Sequence, residues 1–303
     1  MKVVILGGTG FIGSALVSAL LERGDKVTLV TRSPTAAQQR WDGRIDTQLW
    51  NGRDPGPWVM PINGADAVIN LSGESVAAGR WTPERKLALI RSRVDSTRAV
   101  VKALEAAIER PPVFINASAV GYYGATPKGD CPENAPQGAD FLAALCGQWE
   151  REALAAEKLE VRTVMVRFGV VLGAGGGALA KMLTPFKLGL GGPLGSGRQP
   201  FPWVHAEDTA GAILFAIDEA AINGPMNVVA PDPKTNAEFT KALGRALHRP
   251  TLLPAPAFLL RLALGEMSTL LLDGQRAIPE ILLERGYKFK RPSLDGALAS
   301  LLK

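Results

Sequence analysis

The stretch Val-Val-Ile-Leu-Gly-Gly-Thr-Gly-Phe-Ile-Gly at 3–13 decides the fold of this chain. A short apolar run ends at Leu6, and the glycines lead directly into a helical pattern. In such a turn the first glycine turns the chain sharply, the second lets the backbone approach a pyrophosphate, and the third lets the helix pack against the sheet. The helix N-terminus offers free N–H groups to an anion. The stretch therefore predicts a dinucleotide site rather than a purely structural turn.

Composition bounds the class of protein. Of the 303 residues, 47% are hydrophobic and 21% charged, which is ordinary for a globular chain. No apolar run reaches the ~18 residues of a membrane span, and the chain starts with a strand rather than a signal peptide. Two cysteines, Cys131 and Cys146, cannot form a disulfide framework, which predicts reduced thiols and a cytoplasmic protein. With only two histidines, no metal site is expected.

The net charge of +5 is spread along the chain. Arginines stand mostly beside acids, as at 84–86 and 150–152, so they indicate a solvated surface that mildly attracts an anionic cofactor. A nucleic-acid partner would need clustered charge with interleaved aromatics. We therefore expect a small-molecule substrate, no nucleic acid and no membrane partner, while the sequence leaves the oligomeric state open.

Strand and helix signals alternate along the first half, which predicts an α/β, Rossmann-type doubly wound parallel sheet. The predicted strands are 3–6, 26–31, 45–50, 65–71, 113–118, 161–168 and 226–229. The predicted helices include 141–157, 179–186, 206–220 and one whose continuous apolar stripe is Leu87, Ile90, Val94, Thr97, Val101, Leu104 and Ile108.

The chain changes character near residue 170. The loops at 173–177 and 189–197 are rich in glycine, and loops of this kind after the strands of a doubly wound sheet usually shape the substrate crevice. We predict an NADP-binding Rossmann domain over 1–170, to which 206–230 returns. Residues 171–205 and 231–303 then form a smaller, mostly helical substrate and C-terminal lobe. Lys181, Lys187 and Arg198 flank these loops. They either bind an anionic substrate or belong to a solvated surface.

The end of the second strand indicates which cofactor is bound. NAD-preferring sites place an acid there to hold the ribose 2′-hydroxyl, but this strand ends in Thr31, Arg32 and Ser33. A guanidinium and a hydroxyl suit a 2′-phosphate. The sequence therefore predicts NADP(H).

Seven segments carry a resemblance to a known group of proteins: 7–13, Asn-Leu-Ser-Gly-Glu at 70–74, Ser-Ala-Val-Gly-Tyr-Tyr-Gly at 118–124, Arg-Phe-Gly-Val-Val-Leu-Gly at 167–173, the glycine-rich 185–197, Trp-Val-His-Ala-Glu-Asp at 203–208 and Gly-Gln-Arg-Ala-Ile-Pro at 274–279. With them, nearly the whole chain resembles the short-chain dehydrogenase/reductase superfamily. More closely it resembles atypical extended members, the NAD-dependent epimerase/dehydratase-like proteins. The last three segments are typical of one such family with its own C-terminal domain and an unsettled substrate.

Active members of this superfamily use a tyrosine as acid/base and a lysine four residues later that lowers the tyrosine's pKa. Here the residues four positions after Tyr122, Tyr123 and Tyr287 are threonine, proline and arginine. The helix expected to carry the pair, 141–150, keeps a typical glutamate but has neither tyrosine nor lysine. Standard epimerase chemistry is therefore not implied.

Ser118, Tyr122 and Tyr123 are the catalytic candidates, and His205 is a further residue with an acid/base alternative. The resemblance places Ser118 where the family has its hydrogen-bonding Ser or Thr, and leaves Tyr122 or Tyr123 as a proton donor from the next loop. Packing against the nicotinamide or the crevice wall is the alternative for both tyrosines. His205, near the substrate cleft, is either an acid/base or a hydrogen-bonded residue at a helix start.

The predicted cofactor contacts come from the glycine turn and from strand ends. Arg93 lies on the long helix with its stem along the sheet, where a surface salt bridge is the alternative. Arg167 stands at the end of the sixth predicted strand, and Val170 follows that strand. The full predicted set is Gly7, Thr9, Gly10, Phe11, Ile12, Gly13, Thr31, Arg32, Ser33, Leu71, Ser72, Gly73, Arg93, Arg167 and Val170.

Two functions fit these observations. One is an NADP(H)-dependent, epimerase-like oxidoreductase that acts on an unknown small substrate by hydride transfer, which the cofactor supplies. The other is a non-catalytic NADP(H)-binding regulatory or scaffold protein, such as the relatives linked to cell division. The missing tyrosine–lysine pair favours binding alone, whereas the crevice loops favour catalysis.

Overall fold

A computed structural model describes residues 1–52 and 56–302; Lys303, the last residue of the predicted lobe, lies outside them. The strands are β1 Lys2–Leu6, β2 Lys26–Thr31, β3 Asp46–Leu49, β4 Ala67–Asn70, β5 Val113–Ala119, β6 Thr126–Cys131, β7 Arg162–Phe168, β8 Val170–Leu172, β9 Pro200–Phe201, β10 Trp203–His205, β11 Gly224–Val228, β12 Lys234–Thr235 and β13 Gln275–Ala277.

The helices alternate with the strands and then dominate the C-terminal part. They are α1 Phe11–Arg23, α2 Pro34–Arg40, α3 Pro83–Ala106, α4 Phe141–Leu154, α5 Gly177–Lys187, α6 Ala206–Asp218, α7 Asn236–Leu247, α8 Ala257–Leu264, α9 Thr269–Leu272, α10 Glu280–Glu284 and α11 Leu294–Leu301. None of the helices in the described part of the chain combines the length and apolar character needed to cross a bilayer.

Seven strands form one parallel sheet in the order β11-β7-β5-β4-β1-β2-β3. The order in which the chain adds strands reverses between β1 and β4, so a crevice opens at the carboxyl ends of these two strands. Its core strands are apolar on both faces because helices cover both. One apolar cluster includes Leu16 and Ile213, and the cluster on the opposite face includes Val100 and Phe114. This architecture confirms the predicted Rossmann-type fold.

Helix α3 shows where the sequence pattern was misleading. It starts earlier than the predicted stripe because Thr82 accepts a hydrogen bond from the backbone N–H of Arg85 and Pro83 occupies the first turn. Leu87 and Ile108, at the two ends of that stripe, are 45% and 94% exposed. The predicted stripe was therefore wrong at both ends. The buried face keeps Val94, Thr97 and Leu104 of the predicted stripe and adds Leu89, Ser96, Val100 and Ala103.

The C-terminal part is mostly helical and packs against the rim of the sheet. A third apolar cluster joins α7 and α11 to the strands near the crevice, with Phe201 and Phe239 stacked at 4.2 Å between ring centroids. Strand β13 pairs in parallel with β6, which fastens the segment after α9 to the loop that follows β5. Neither β6 nor β13 was predicted from the sequence.

Candidate functional site

The glycine turn between β1 and α1 is as tight as the sequence requires. Gly7 has φ +77°, and a Cβ there would stand 2.6 Å from the carbonyl carbon of Leu71. A Cβ at Gly13 would lie 2.5 Å from the carbonyl oxygen of Gly7. Gly10 meets only that same oxygen, at 3.3 Å, and it opens α1 without a side-chain cap. Gly7 and Gly13 are thus glycines for packing reasons, whereas Gly10 leaves room for a ligand.

A cavity of about 590 Å³ runs from this turn across the ends of the strands toward the C-terminal helices. Its size lies within the roughly 300–1,000 Å³ typical of small-molecule sites. We call it the crevice. Its wall contains ten of the predicted cofactor residues: Gly7, Gly10, Phe11, Ile12, Gly13, Leu71, Ser72, Gly73, Arg93 and Val170.

Arg93 brings a positive charge into the crevice from α3. Its guanidinium donates to the carbonyl oxygens of Glu74 at 2.9 Å and Leu89 at 3.2 Å, and lies 5.2 Å from the centre of the Trp149 ring. Burial lowers its pKa. Among the described residues no carboxylate forms an ion pair with it, and no other lysine or arginine lines the crevice. A partly buried cation without a counter-ion suits an anionic ligand.

The end of β2 lies beside the glycine turn, although it is outside the crevice wall. Leu6 of β1 pairs with Val30 of β2, so Thr31 follows level with the first glycine. Arg32 and Ser33 come next and are exposed. The end of the second strand is where Rossmann-type proteins generally bind the ribose of a dinucleotide.

Arg40, at the end of α2, was not predicted from the sequence. Its Nη1 donates to the carbonyl oxygen of Thr9 at 3.2 Å, which brings a second guanidinium to the turn. Its side chain also lies over Trp41, 5.0 Å from the ring centre. Only the tertiary structure brings Arg40 to the glycine turn, so the sequence carried no signal for it.

Arg167, predicted to contact the cofactor, lies instead behind the crevice wall. Its Nε and Nη2 are each 2.8 Å from an oxygen of Glu150, and its Nη1 donates to the hydroxyl of Tyr123 and to the carbonyl oxygen of Glu133. The Glu150 carboxylate raises its pKa against the opposing effect of burial. The ring of Tyr122 stacks on the guanidinium at 3.6 Å. All of these contacts are internal to the protein.

The two candidate tyrosines belong to this internal cluster. Neither appears among the described residues that line the crevice. The hydroxyl of Tyr123 donates to Asn227 at 2.7 Å, and burial raises its pKa to about 12. Ser118 does reach the crevice, but its hydroxyl donates to Glu150 at 2.6 Å. The structure therefore brings Ser118 and the tyrosines together through Glu150 and Arg167 rather than around a shared opening.

Helix α4 turns the face of Leu142, Leu145, Cys146 and Trp149 toward the crevice. Leu142 and Cys146 are four residues apart on this face, the spacing of the superfamily's tyrosine and lysine. Burial raises the pKa of the Cys146 thiol to about 12, so the thiol is not a base near neutral pH. The crevice side of α4 thus carries no group that exchanges protons readily.

The remaining candidates lie away from the wall. His205 accepts the backbone N–H of Glu207 at 3.1 Å through Nδ1 and starts α6, and burial lowers its pKa. Lys181 donates to the carbonyl oxygen of Ala77, and neither Lys187 nor Arg198 borders the crevice. Across residues 1–52 and 56–302, no group of three His, Cys, Asp or Glu side chains is arranged to hold a metal ion.

A glycine turn at the switch point of a parallel sheet defines a Rossmann-type dinucleotide-binding protein. Residues 3–229 match the model of the NAD dependent epimerase/dehydratase family, and residues 255–301 match a domain of unknown function, DUF1731. The chain therefore belongs to the NAD-dependent epimerase/dehydratase family, in the group that carries this C-terminal domain. The predicted family is confirmed.

The chain aligns with several relatives over nearly the full length of both proteins. The chain is 39% identical to the epimerase family protein YfhF of Bacillus subtilis over 303 residues, covering 100% of this chain and 98% of that protein. It is 40% identical to mouse SDR39U1, also named an epimerase family protein, with 100% of both chains covered. The crystal structure of human SDR39U1 with NADPH superposes with a TM-score of 0.88 at 36% identity, covering 100% and 99% of the two chains.

Proposed function

We propose that this chain binds NADP(H) in the crevice and uses it to transfer hydride to or from a small substrate. The observation that carries the proposal is the continuous crevice from the glycine turn to Ser118, with the unpaired guanidinium of Arg93 in its wall. The human relative that shares the fold was crystallised with NADPH, which supports the same assignment.

The residues fit such a cofactor from end to end. The uncapped N-terminus of α1 offers its backbone N–H groups to the pyrophosphate, and Gly10 leaves space for it. Arg32, at the end of β2, holds the 2′-phosphate at the adenosine end, and Arg40 brings a second cation to the glycine turn. When bound, the cofactor supplies the hydride. The protein then orients the substrate and keeps water out.

We assign Ser118 the contact with the reacting oxygen: its O–H is donated to Glu150, so its oxygen is left to accept a hydrogen bond from a substrate hydroxyl. Ser118 is anchored by Glu150, which is itself held by Arg167. We assign Tyr123 to the support of this cluster, since its hydroxyl is bonded to Asn227 and Arg167 and does not line the crevice. Tyr122 holds the guanidinium of Arg167 through its ring. These two tyrosines thus act on the site through Arg167.

A non-catalytic NADP(H)-binding protein is the second candidate function. It is favoured by the crevice face of α4, where Leu142 and Cys146 offer no proton donor or acceptor to a substrate. A protein that senses the cofactor or presents it to a partner needs the binding half of the crevice alone.

Two measurements separate these functions. Calorimetry with NADPH and NADH tests cofactor binding, and absorbance at the nicotinamide band tests turnover with a panel of aldehydes, ketones and sugar nucleotides. Tight NADPH binding with turnover of one compound class supports the enzyme. Tight NADPH binding without turnover of any compound supports the second function. If neither cofactor binds, both proposed functions are wrong.

A further inference from the structure

The substrate end of the crevice differs sharply in chemistry from its cofactor end. This end is formed by the loop after β5, by α4 and by the segments that follow α5 and α8. Its wall is largely apolar, with side chains such as Leu142, Met182, Leu194, Phe201 and Leu270. Apolar walls bind by excluding water from an apolar ligand.

The charges at this end are negative. Asp140 and Asp273 border the crevice. Burial and the Asp140 charge raise the pKa of Asp273, against the opposing charge of Arg261, which is exposed on α8 and outside the crevice wall. The carboxylate of Asp140 accepts the backbone N–H groups of Ala125 and Ala143, which fixes it in place. Among the described residues, Arg93 is the one cation of the crevice wall, and it stands beside Gly73 at the cofactor end.

Nearby cations are turned to other uses. Lys181 is bonded to the carbonyl oxygen of Ala77, and Arg80 donates to the carbonyl oxygens at the end of α8. Lys86 pairs with Glu266. A diphosphate in an apolar cleft needs cations or many N–H donors to offset the loss of its hydration. This end provides carboxylates instead.

We propose that the crevice takes an uncharged, largely apolar carbonyl or alcohol compound as its substrate, and that it excludes nucleoside diphosphate sugars. The inference rests on the proposed function, because it assumes that the cofactor occupies the end that holds Arg93. It sets this chain apart from structurally similar proteins such as the UDP-glucose 4-epimerase of Thermotoga maritima, which shares 18% identity and was crystallised with UDP-glucose.

A matched pair of aldehydes tests the proposal. 4-Carboxybenzaldehyde and its methyl ester differ by one negative charge and present the same reacting carbonyl. We expect calorimetry on protein saturated with NADP⁺ to give a Kd for the ester at least about tenfold below that for the carboxylate, since each tenfold equals about 1.4 kcal/mol of charge repulsion and desolvation. UDP-glucose at 1 mM is expected neither to bind nor to compete.

Variants show whether the carboxylates cause this preference. In Asp273→Asn the preference for the ester, expressed as the Kd of the carboxylate divided by that of the ester, is expected to fall several-fold. Asp295→Asn, at an exposed position of α11, leaves it unchanged. Equal or tighter binding of the carboxylate or of UDP-glucose overturns the proposal, and so does an ester that does not bind. NADPH affinity, measured beforehand without substrate, reports on the proposed function separately, so the two failures are distinguished.

Discussion

Glu150 and Arg167 form a two-pronged ion pair in the interior, with Nε and Nη2 of Arg167 each 2.8 Å from a carboxylate oxygen of Glu150. The pair joins α4 to β7 directly behind Ser118, and both side chains are less than 10% exposed. Such a pair is costly to break from one side only, because the remaining charge is left buried without a partner.

Arg167→Met is therefore expected to lower the free energy of unfolding by about 3–5 kcal/mol, as measured by urea denaturation. The double variant Glu150→Leu with Arg167→Met should recover part of that loss, because no charge then stays buried alone. Arg245→Met, which breaks the exposed pair with Asp295, is the control and should cost less than about 1 kcal/mol. An equal loss in both single variants would contradict this role.

Tyr123→Phe distinguishes support from catalysis. Removing the hydroxyl leaves Arg167 and Asn227 each short of one hydrogen bond, so stability should fall by about 1–3 kcal/mol. NADPH affinity should stay within about twofold, since the ring lies outside the crevice wall. Tyr122→Phe, which keeps its ring on Arg167, is the matched control. Lost turnover at unchanged stability would instead make Tyr123 catalytic.

Arg32→Asp tests the cofactor preference. It replaces the cation at the end of β2 with the acid that NAD-preferring sites carry, so NADPH affinity should fall by about 10- to 100-fold while NADH gains relative to it. Arg40→Asp should act in the same direction more weakly. Arg198→Asp, exposed and away from the crevice, controls for net charge. An unchanged ratio of the two calorimetric affinities would exclude the 2′-phosphate contact.

Gly13→Ala tests the glycine turn. Its Cβ would lie 2.5 Å from the carbonyl oxygen of Gly7, so α1 must move away from β1, at a cost of about 1–3 kcal/mol and much of the NADPH affinity. Gly79→Ala is the control, because no described atom comes within 4 Å of its Cβ. Thermal unfolding and calorimetry give both quantities. If Gly13→Ala kept the full NADPH affinity, the glycine turn would not be part of the cofactor site.

His205 makes stability depend on pH. Burial lowers its pKa below the 6.5 of an unfolded histidine, although Glu207 and Asp208 oppose the shift and Arg291 adds to it. The unfolded chain therefore binds the proton more readily, and stability should fall as pH drops below about 6.5. His205→Asn keeps a helix-starting acceptor and should show a shallower decline between pH 7 and 5. If stability declined with falling pH equally in both proteins, His205 would not be the source of the pH dependence.

Much of the sheet could be predicted from local residue patterns. The second strand was predicted with its observed bounds, and six others within two residues of their ends. Buried strands and their glycine turn are local in sequence, so they leave a readable pattern. Strands β6 and β13 were missed because each is held by a partner more than a hundred residues away. The ends of the α3 stripe failed for separate reasons: Leu87 lies on the exposed side of the helix, and Ile108 comes after α3 has ended at Ala106.

The sequence by itself determined the Rossmann-type fold, the family and the glycine turn, because spacing and glycine stereochemistry act within a few residues. It also pointed to ten residues that line the crevice. Only the tertiary structure decided that Arg167 and Tyr123 turn inward to Glu150 and that Arg40 approaches Thr9. The direction of a long side chain depends on partners contributed by distant elements, and local pattern carries no information about those partners.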